Sequence, residues 1–163
     1  MMTRYPHWRC WACCLIALGP APAHAQGGVS CGISTTALAF GQYVPSGSGA
    51  SDFTATVEVT CSASGTTSVP IDGSISLTGA GGYARRELTD GPYRLRYQLF
   101  LDPARTILWG DGSGGTHTKS ITGVVGAAAP FRETVVVYGR ILARQSDAGV
   151  GNYRDQIIAV LRY

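Results

Sequence analysis

The sequence predicts an all-β fold, either a sandwich or a barrel. Three observations carry this prediction. Apolar and polar residues alternate over several short stretches, the connections between those stretches are rich in Gly, Ser, Pro and Asp, and no stretch places its apolar residues at helical spacing. The length suits a single domain with its own core, and we find no internal repeat or linker.

The first 25 residues have the three parts of a secretory signal peptide. Two arginines supply positive charge, residues 10–18 form a short apolar run, and the small-residue motif "AHA" ends at Ala25. The apolar run is too short to span a bilayer. We therefore expect cleavage after Ala25 and an exported mature domain over residues 26–163.

Cleavage changes the cysteine count and the charge. Three of the five cysteines leave with the signal peptide, and Cys31 and Cys61 stay. Two cysteines in an exported protein suggest one disulfide. The formal net charge falls from +3 to about +1 because Arg4 and Arg9 are also removed. This balance gives no reason to expect nucleic acid or an anionic membrane as a partner.

The predicted strands follow in chain order. "CGISTTALAFGQY" is interpreted as a kinked opening strand anchored by Ile33, Leu38 and Phe40. "DFTATVEVTC" is the clearest half-buried strand, because its apolar residues alternate with Thr and Glu from Phe53 to Cys61. "VPIDGSISL", "YRLRYQLFL" and "ETVVVYGRIL" are further candidates.

The last predicted strand, from Tyr153 to Tyr163, is apolar on both faces. One face carries Ile157, Ala159 and Leu161, and the other carries Ile158 and Val160. Such a strand needs cover on both sides. The sequence shows no following strand that would provide it.

Catalytic and metal sites find little support. His117 is the only histidine after cleavage, so no His/Cys ligand cluster can be assembled. "GDGSGG" at residues 110–115 fits G-x-G-x-x-G, but no helix follows it. A hydrolase built on Ser113 and His117 would need a geometry that two residues of one glycine-rich loop cannot easily supply. We expect no enzymatic activity, no cofactor and no metal.

Arginines and aromatic residues have simple interpretations. Arg85, Arg86, Arg94 and Arg96 are interpreted as a solvated sheet face rather than a basic patch. Trp109 and the tyrosines are expected to pack in the core. The alternative function, a self-contained secreted glycan-binding module, would use Trp109 and loop tyrosines to stack on sugars.

Several separated stretches together resemble the spore coat protein U domain family. The resemblance runs from about Cys31 to Tyr163 and consists of Cys, F-G-x-Y, Cys, W-G-D-G, G-R-I and G-x-Y-x-D in that order. Each piece alone would be weak, but the combination is specific.

This resemblance implies a fold and a function. The family supplies the subunits of archaic chaperone-usher pili, so we expect an incomplete immunoglobulin-like β-sandwich lacking the final strand. A missing strand leaves an apolar groove with unpaired backbone groups. A periplasmic pilus chaperone first lends a strand, and the N-terminal extension of another pilus subunit then replaces it at the outer-membrane usher. This donor-strand complementation is itself a recognised instance of β-strand addition.

The resemblance also assigns residues. The donor-strand groove is expected to involve Ile33, Leu38, Phe40, Ile157, Ala159 and Leu161. Tyr163 is expected to contact the chaperone. The protein would pass through the periplasm and reach the cell surface as part of a fimbrium, with a surface or glycan receptor as a further partner and no nucleic acid.

The start of the mature chain departs from the shaft-subunit pattern. Such subunits carry about ten or more residues of alternating character ahead of the first Cys, which form the donor strand. After cleavage only "QGGVS" would precede Cys31. We therefore expect a chain that accepts a strand without giving one. It would be a terminal or tip subunit in cell adhesion and biofilm formation, or would not polymerise; its single domain argues against a tip adhesin.

Overall fold

The computed structural model describes residues 28–163 apart from residues 46, 80, 81, 84, 127 and 128. The predicted signal peptide, residues 1–25, therefore lies outside the described residues. Within them there is no helix that is long and apolar enough to cross a membrane. The chain forms eight strands: β1 (Val29–Thr35), β2 (Ser51–Ala63), β3 (Val69–Gly79), β4 (Arg86–Asp90), β5 (Tyr93–Phe100), β6 (Lys119–Val125), β7 (Phe131–Ile141) and β8 (Ile157–Arg162).

The strands form two sheets with antiparallel pairing between all neighbouring strands. The large sheet has the order β1-β2-β7-β5-β4, and the small sheet has the order β6-β3-β8. Inner residues of both sheets share one core, which includes Val59, Ile75, Trp109 and Ile121. The predicted all-β sandwich is confirmed.

The strand order is that of an immunoglobulin-like sandwich. In that fold strands A, B, E and D form one sheet, and strands C, F and G form the other. Here β1, β2, β7 and β5 correspond to A, B, E and D, while β3 and β8 correspond to C and F. No described strand lies beside β8 in the position of G. Over the described residues the sandwich is therefore incomplete at this edge, as expected.

The alternation of apolar and polar residues explains which face of the central strand β2 is buried. In β2 the inward residues Ala55, Val57, Val59 and Cys61 are buried, while the residues between them are partly exposed. This strand pairs with β1 on one side and with β7 on the other, so only its outer face meets water. The predicted half-buried strand is confirmed.

The opening strand is shorter than predicted. β1 ends at Thr35, and the following residues cross the inner face of the large sheet. Leu38 and Phe40 lie over Gly139 of β7, where an added Cβ would come within 2.8 Å of Leu38 Cδ2. The Phe40 ring also makes edge-to-face contacts with Phe53 and Tyr97. The segment leaves the edge because its two large apolar side chains bury themselves on this inner face.

The last strand is also shorter than predicted. It begins at Ile157 rather than Tyr153. Before it, Arg154 forms a two-way backbone bridge with Thr89 of β4, with N···O distances of 2.8 and 3.0 Å. The chain therefore passes from the edge of the large sheet to the edge of the small sheet, and a single straight strand cannot do this.

The solvated-face interpretation is wrong for Arg86. Its side chain is 1% exposed and lies between the sheets, where Nη2 donates to the carbonyls of Leu77 and Trp109 at 3.4 and 2.8 Å. Nε and Nη1 have no hydrogen-bond partner among the described residues. Burial lowers the pKa of this guanidinium, although an arginine remains charged. Arg86 is thus a polar link between the two sheets.

Candidate functional site

Two edge strands, one from each sheet, lie on the same side of the sandwich. Within the described part of the chain β1 pairs only with β2, and β8 pairs only with β3. Just after β8, Tyr163 reaches across to β1, where the Cys31 N–H donates to its hydroxyl at 3.1 Å. We call the opening between β8 on one side and β1 with residues 36–40 on the other the open groove.

Backbone groups of β1 face this groove. The Cys31 N–H points away from β2, since it bonds to Tyr163. Peptide directions alternate along an antiparallel pair, so Ile33 and Thr35 point the same way as Cys31. Thr36 points the other way and donates to the carbonyl of Thr56 at 3.0 Å. Alternate residues of β1 can therefore pair with an added strand.

Apolar side chains line a cavity of about 340 Å³ in the open groove. Both sheets contribute, and the core forms the floor. The apolar lining residues are Ala37, Leu38, Phe40, Ala55, Val57, Leu77, Leu88, Leu99, Val137, Ile157 and Ala159. Three of these are alanines, and their small side chains leave room for larger ones from outside. The cavity is suited to apolar side chains of an incoming segment.

The structure brings together four of the six predicted groove residues. Leu38, Phe40, Ile157 and Ala159 line the cavity. Ile33 and Leu161 lie farther along β1 and β8, half-buried against the core, and do not line it. Their participation in a longer groove stays a prediction.

One end of the cavity is polar. The Tyr97 hydroxyl donates to Asp155 Oδ2 at 2.7 Å, and the Gln156 N–H donates to Asp155 Oδ1 at 2.7 Å. Burial, together with this bond to Asp155, raises the pKa of Tyr97. The pair joins β5 to the residues ahead of β8. Sequence reasoning did not single out either side chain, although Asp155 is the last residue of the G-x-Y-x-D pattern.

Tyr163 lies at the other end of the open groove. Its side chain is 57% exposed although its hydroxyl bonds to β1. The close approach of this end to β3 depends on Gly73, where a Cβ would collide with the carbonyl of Arg162. The assignment of Tyr163 as a chaperone contact stays a prediction.

A disulfide joins the groove's edge strand to the sheet behind it. Cys31 and Cys61 are bonded and stand directly opposite each other in the register of β1 and β2. The expected disulfide is confirmed. It fixes β1 to β2 while leaving the outer edge of β1 open.

Other candidate residues have structural roles. Ser113 Oγ donates to Asp111 Oδ1 at 2.6 Å, and no hydrogen bond joins it to His117 in the described part of the chain. Among the described residues no group of three His, Cys, Asp or Glu could hold a metal ion. Trp109 is 0% exposed and donates from Nε1 to the carbonyl of Ile75 at 3.0 Å, so it cannot stack on a sugar.

Comparisons with known proteins give a family match and several structural matches, of which we describe one. The family model for the Spore Coat Protein U domain matches residues 19–160. A structure of the CsuC-CsuE chaperone-tip adhesion subunit pre-assembly complex, from archaic chaperone-usher Csu pili of Acinetobacter baumannii, matches with 17% identity and a TM-score of 0.48. The match covers 83% of this chain and 40% of that chain. No curated protein sequence matches significantly.

Proposed function

The chain belongs to the Spore Coat Protein U domain family, and we propose that it is an exported subunit of a chaperone-usher pilus. The open groove accepts a donor strand, first from a periplasmic chaperone and then from a neighbouring subunit at the outer-membrane usher. The observation that carries this proposal is the pair of open edges, β1 and β8, on either side of an apolar cavity. Export through the predicted signal peptide, residues 1–25, is part of the proposal.

Hydrophobic burial supplies the driving force. Covering a large apolar side chain contributes roughly 1.5 to 3 kcal/mol, and a domain of this size has a total stability of only about 5 to 15 kcal/mol. Ile157, Ala159 and Leu161 are half-buried along β8, so an added strand would cover surface that is now in contact with water. The same strand would pair with the free backbone edges. An unfilled groove should therefore make the chain unstable.

A fused donor strand tests the proposal. A flexible linker and a peptide of alternating apolar residues are added after Tyr163, and soluble yield, protease resistance and cooperative unfolding are compared with the donor-free chain. The donor-free chain should aggregate or be degraded, and the fusion should fold cooperatively. A donor-free chain that is monomeric, cooperatively folded and indifferent to the peptide would contradict the proposal.

Two variants of β8 test which face of this strand contacts the fused donor strand. Leu161→Asp should prevent rescue by the fused strand, because it places an unpaired carboxylate on the inner face. Ile158→Asp is the matched control, since Ile158 is 57% exposed on the opposite face. It should leave rescue intact. Equal loss of rescue in both variants would mean that the inner row of β8 does not border the accepted strand.

A further inference from the structure

A second cleft lies on the large sheet and shares no residue with the open groove cavity. It has a volume of about 490 Å³ and lies between the β4–β5 hairpin and the loop that follows β7. We call it the arginine cleft and define it by Tyr93, Arg94, Arg96, Arg144 and Gln145.

Gln145 holds this cleft in a fixed shape. It is 7% exposed, and its side chain pairs with the backbone of Arg96 as a neighbouring strand would. Oε1 accepts from the Arg96 N–H at 2.6 Å, and Nε2 donates to the carbonyls of Arg96 and Leu142, both at 2.9 Å. The Gln145 N–H donates to the Tyr43 hydroxyl at 3.0 Å. The residue before it, Arg144, is thereby placed beside β5.

Arg144 has an unfavourable backbone conformation. Its φ is +57°, in the left-handed region that glycine prefers and that a residue with a Cβ seldom adopts. Such outliers concentrate at functional sites. An arginine at a position suited to glycine points to a use for its side chain.

The charges of the cleft are only partly matched. Arg94 donates to the carbonyls of Gly91 and Tyr93 at 2.8 and 2.9 Å. Arg96 and Arg144 are exposed, and neither forms an ion pair with a described carboxylate. Glu87 and Asp147 also line the cleft, so three arginines face two carboxylates. A net charge near +1 suits one anionic group rather than a polyanion.

We propose that the arginine cleft binds the carboxylate or sulfate of an acidic saccharide. Guanidinium groups match these planar or forked oxygen pairs with two parallel hydrogen bonds. Tyr93 is 44% exposed and offers an aromatic surface for the sugar. Its ring is fixed against Gly149, where a Cβ would lie 2.7 Å from ring atoms. Nucleic acid is disfavoured, since its binding depends on many phosphate contacts and the net charge after the predicted cleavage is only about +1. This inference goes beyond the pilus role and does not depend on it.

Binding of three saccharides of matched length, with polyphosphate as a non-saccharide competitor, to the immobilised chain carrying the fused donor strand tests the inference. The probes are a dextran sulfate oligosaccharide for sulfate, an oligogalacturonate for carboxylate and neutral dextran. At least one acidic probe should bind, more weakly as salt is raised, and dextran should not. The two acidic probes decide between sulfate and carboxylate. Binding of dextran as strong as that of the acidic probes, no acidic binding, or stronger binding of polyphosphate would each overturn the inference.

Variants assign the binding to the cleft. Arg96→Gln and Arg144→Gln should each weaken binding about tenfold, since each removes a charge-assisted contact. Arg132→Gln changes an arginine of β7 that is paired with Glu58 outside the cleft, and it should leave binding unchanged. Arg144→Gly removes the side chain and relieves the backbone, so it should keep or raise the melting temperature while still weakening binding. An equal loss of binding in Arg132→Gln, or unchanged binding in Arg144→Gly, would refute the assignment of binding to the arginine cleft.

Discussion

β7 and β8 have similar apolar sequences but very different surroundings. β7 carries "VVVYGRI" and β8 is "IIAVLR". β7 is paired on both sides, by β2 and β5, and its inner residues Val135 and Val137 are only 6% and 5% exposed. Among the described strands β8 is paired only with β3, and none of its six residues is fully buried. An apolar run therefore predicts a strand, whereas its neighbours decide how much of it is covered.

Because of this difference, substitutions in β7 should affect the stability of the domain, whereas substitutions in β8 should affect the binding of a donor strand. Changes in β7 remove contacts that the chain already makes. Changes in the inner row of β8 affect contacts that an added strand would make. The two strands should therefore respond differently to the same kind of substitution.

The largest effect is expected in β7. Val135→Asp should cost about 4 kcal/mol or more, because it places an unpaired carboxylate in the core. The fold should be lost with or without a fused donor strand, in contrast to Leu161→Asp, which acts through the donor. Val136→Asp is the control, since Val136, the next residue along β7, is 36% exposed. Chemical denaturation of the fused chain should show a far smaller loss of unfolding free energy for Val136→Asp than for Val135→Asp. Similar losses in both variants would mean that the two faces of β7 do not differ.

Reduction of the disulfide should have the second largest effect on stability. It closes a loop with a sequence separation of 30. In the chain-entropy model such a link contributes about 3 to 4 kcal/mol. Denaturation with and without reductant, in the fused chain, should show a loss of this size, and the oxidised chain should have no titratable thiol. Two free thiols per chain, or an unchanged midpoint on reduction, would argue against a stabilising role.

Two glycines sharpen the contrast between the covered centre and the open edge. Gly139→Ala in β7 should cost about 1 kcal/mol, because its Cβ would press on Leu38 and Phe40. Gly32→Ala in β1 meets nothing within 4 Å of its Cβ and should change stability by a few tenths of a kcal/mol at most. Unfolding free energies of the fused chain give the comparison. A larger cost at Gly32 would mean that the edge of β1 is more crowded than the structure indicates.

The smallest effect concerns the outer face of β7. Arg140 donates two hydrogen bonds to Asp52 at 2.7 and 2.8 Å, and these bonds lower the pKa of Asp52 below its ordinary value of 3.8. Stability from the pair is therefore present above that value and is lost as the pH falls below it. Asp52→Asn should cost about 0.2 to 1 kcal/mol at pH 7, reduced by solvent screening. The variant and the parent should converge in acid, and a constant difference at all pH values would exclude this cause.

Much of the fold could be predicted because alternation reports burial directly. The inward row of β2 and the row Ile157, Ala159 and Leu161 of β8 are visible in the sequence. β4 and β6 were missed, since both are short and interrupted by polar residues. Asp155 and Tyr97 were not singled out, because 58 residues separate the two groups that form their bond.

The all-β class, most of the strands and the pairing of the two cysteines could be predicted from local periodicity and from the small number of cysteines that remain after cleavage. The tertiary structure sets the positions of Arg86, Leu38 and Phe40. It also decided that β1 and β8 leave their edges open on the same side. Both results depend on which distant strands become neighbours, and a sequence pattern with a period of two residues reports which face of a strand is covered but not what covers it.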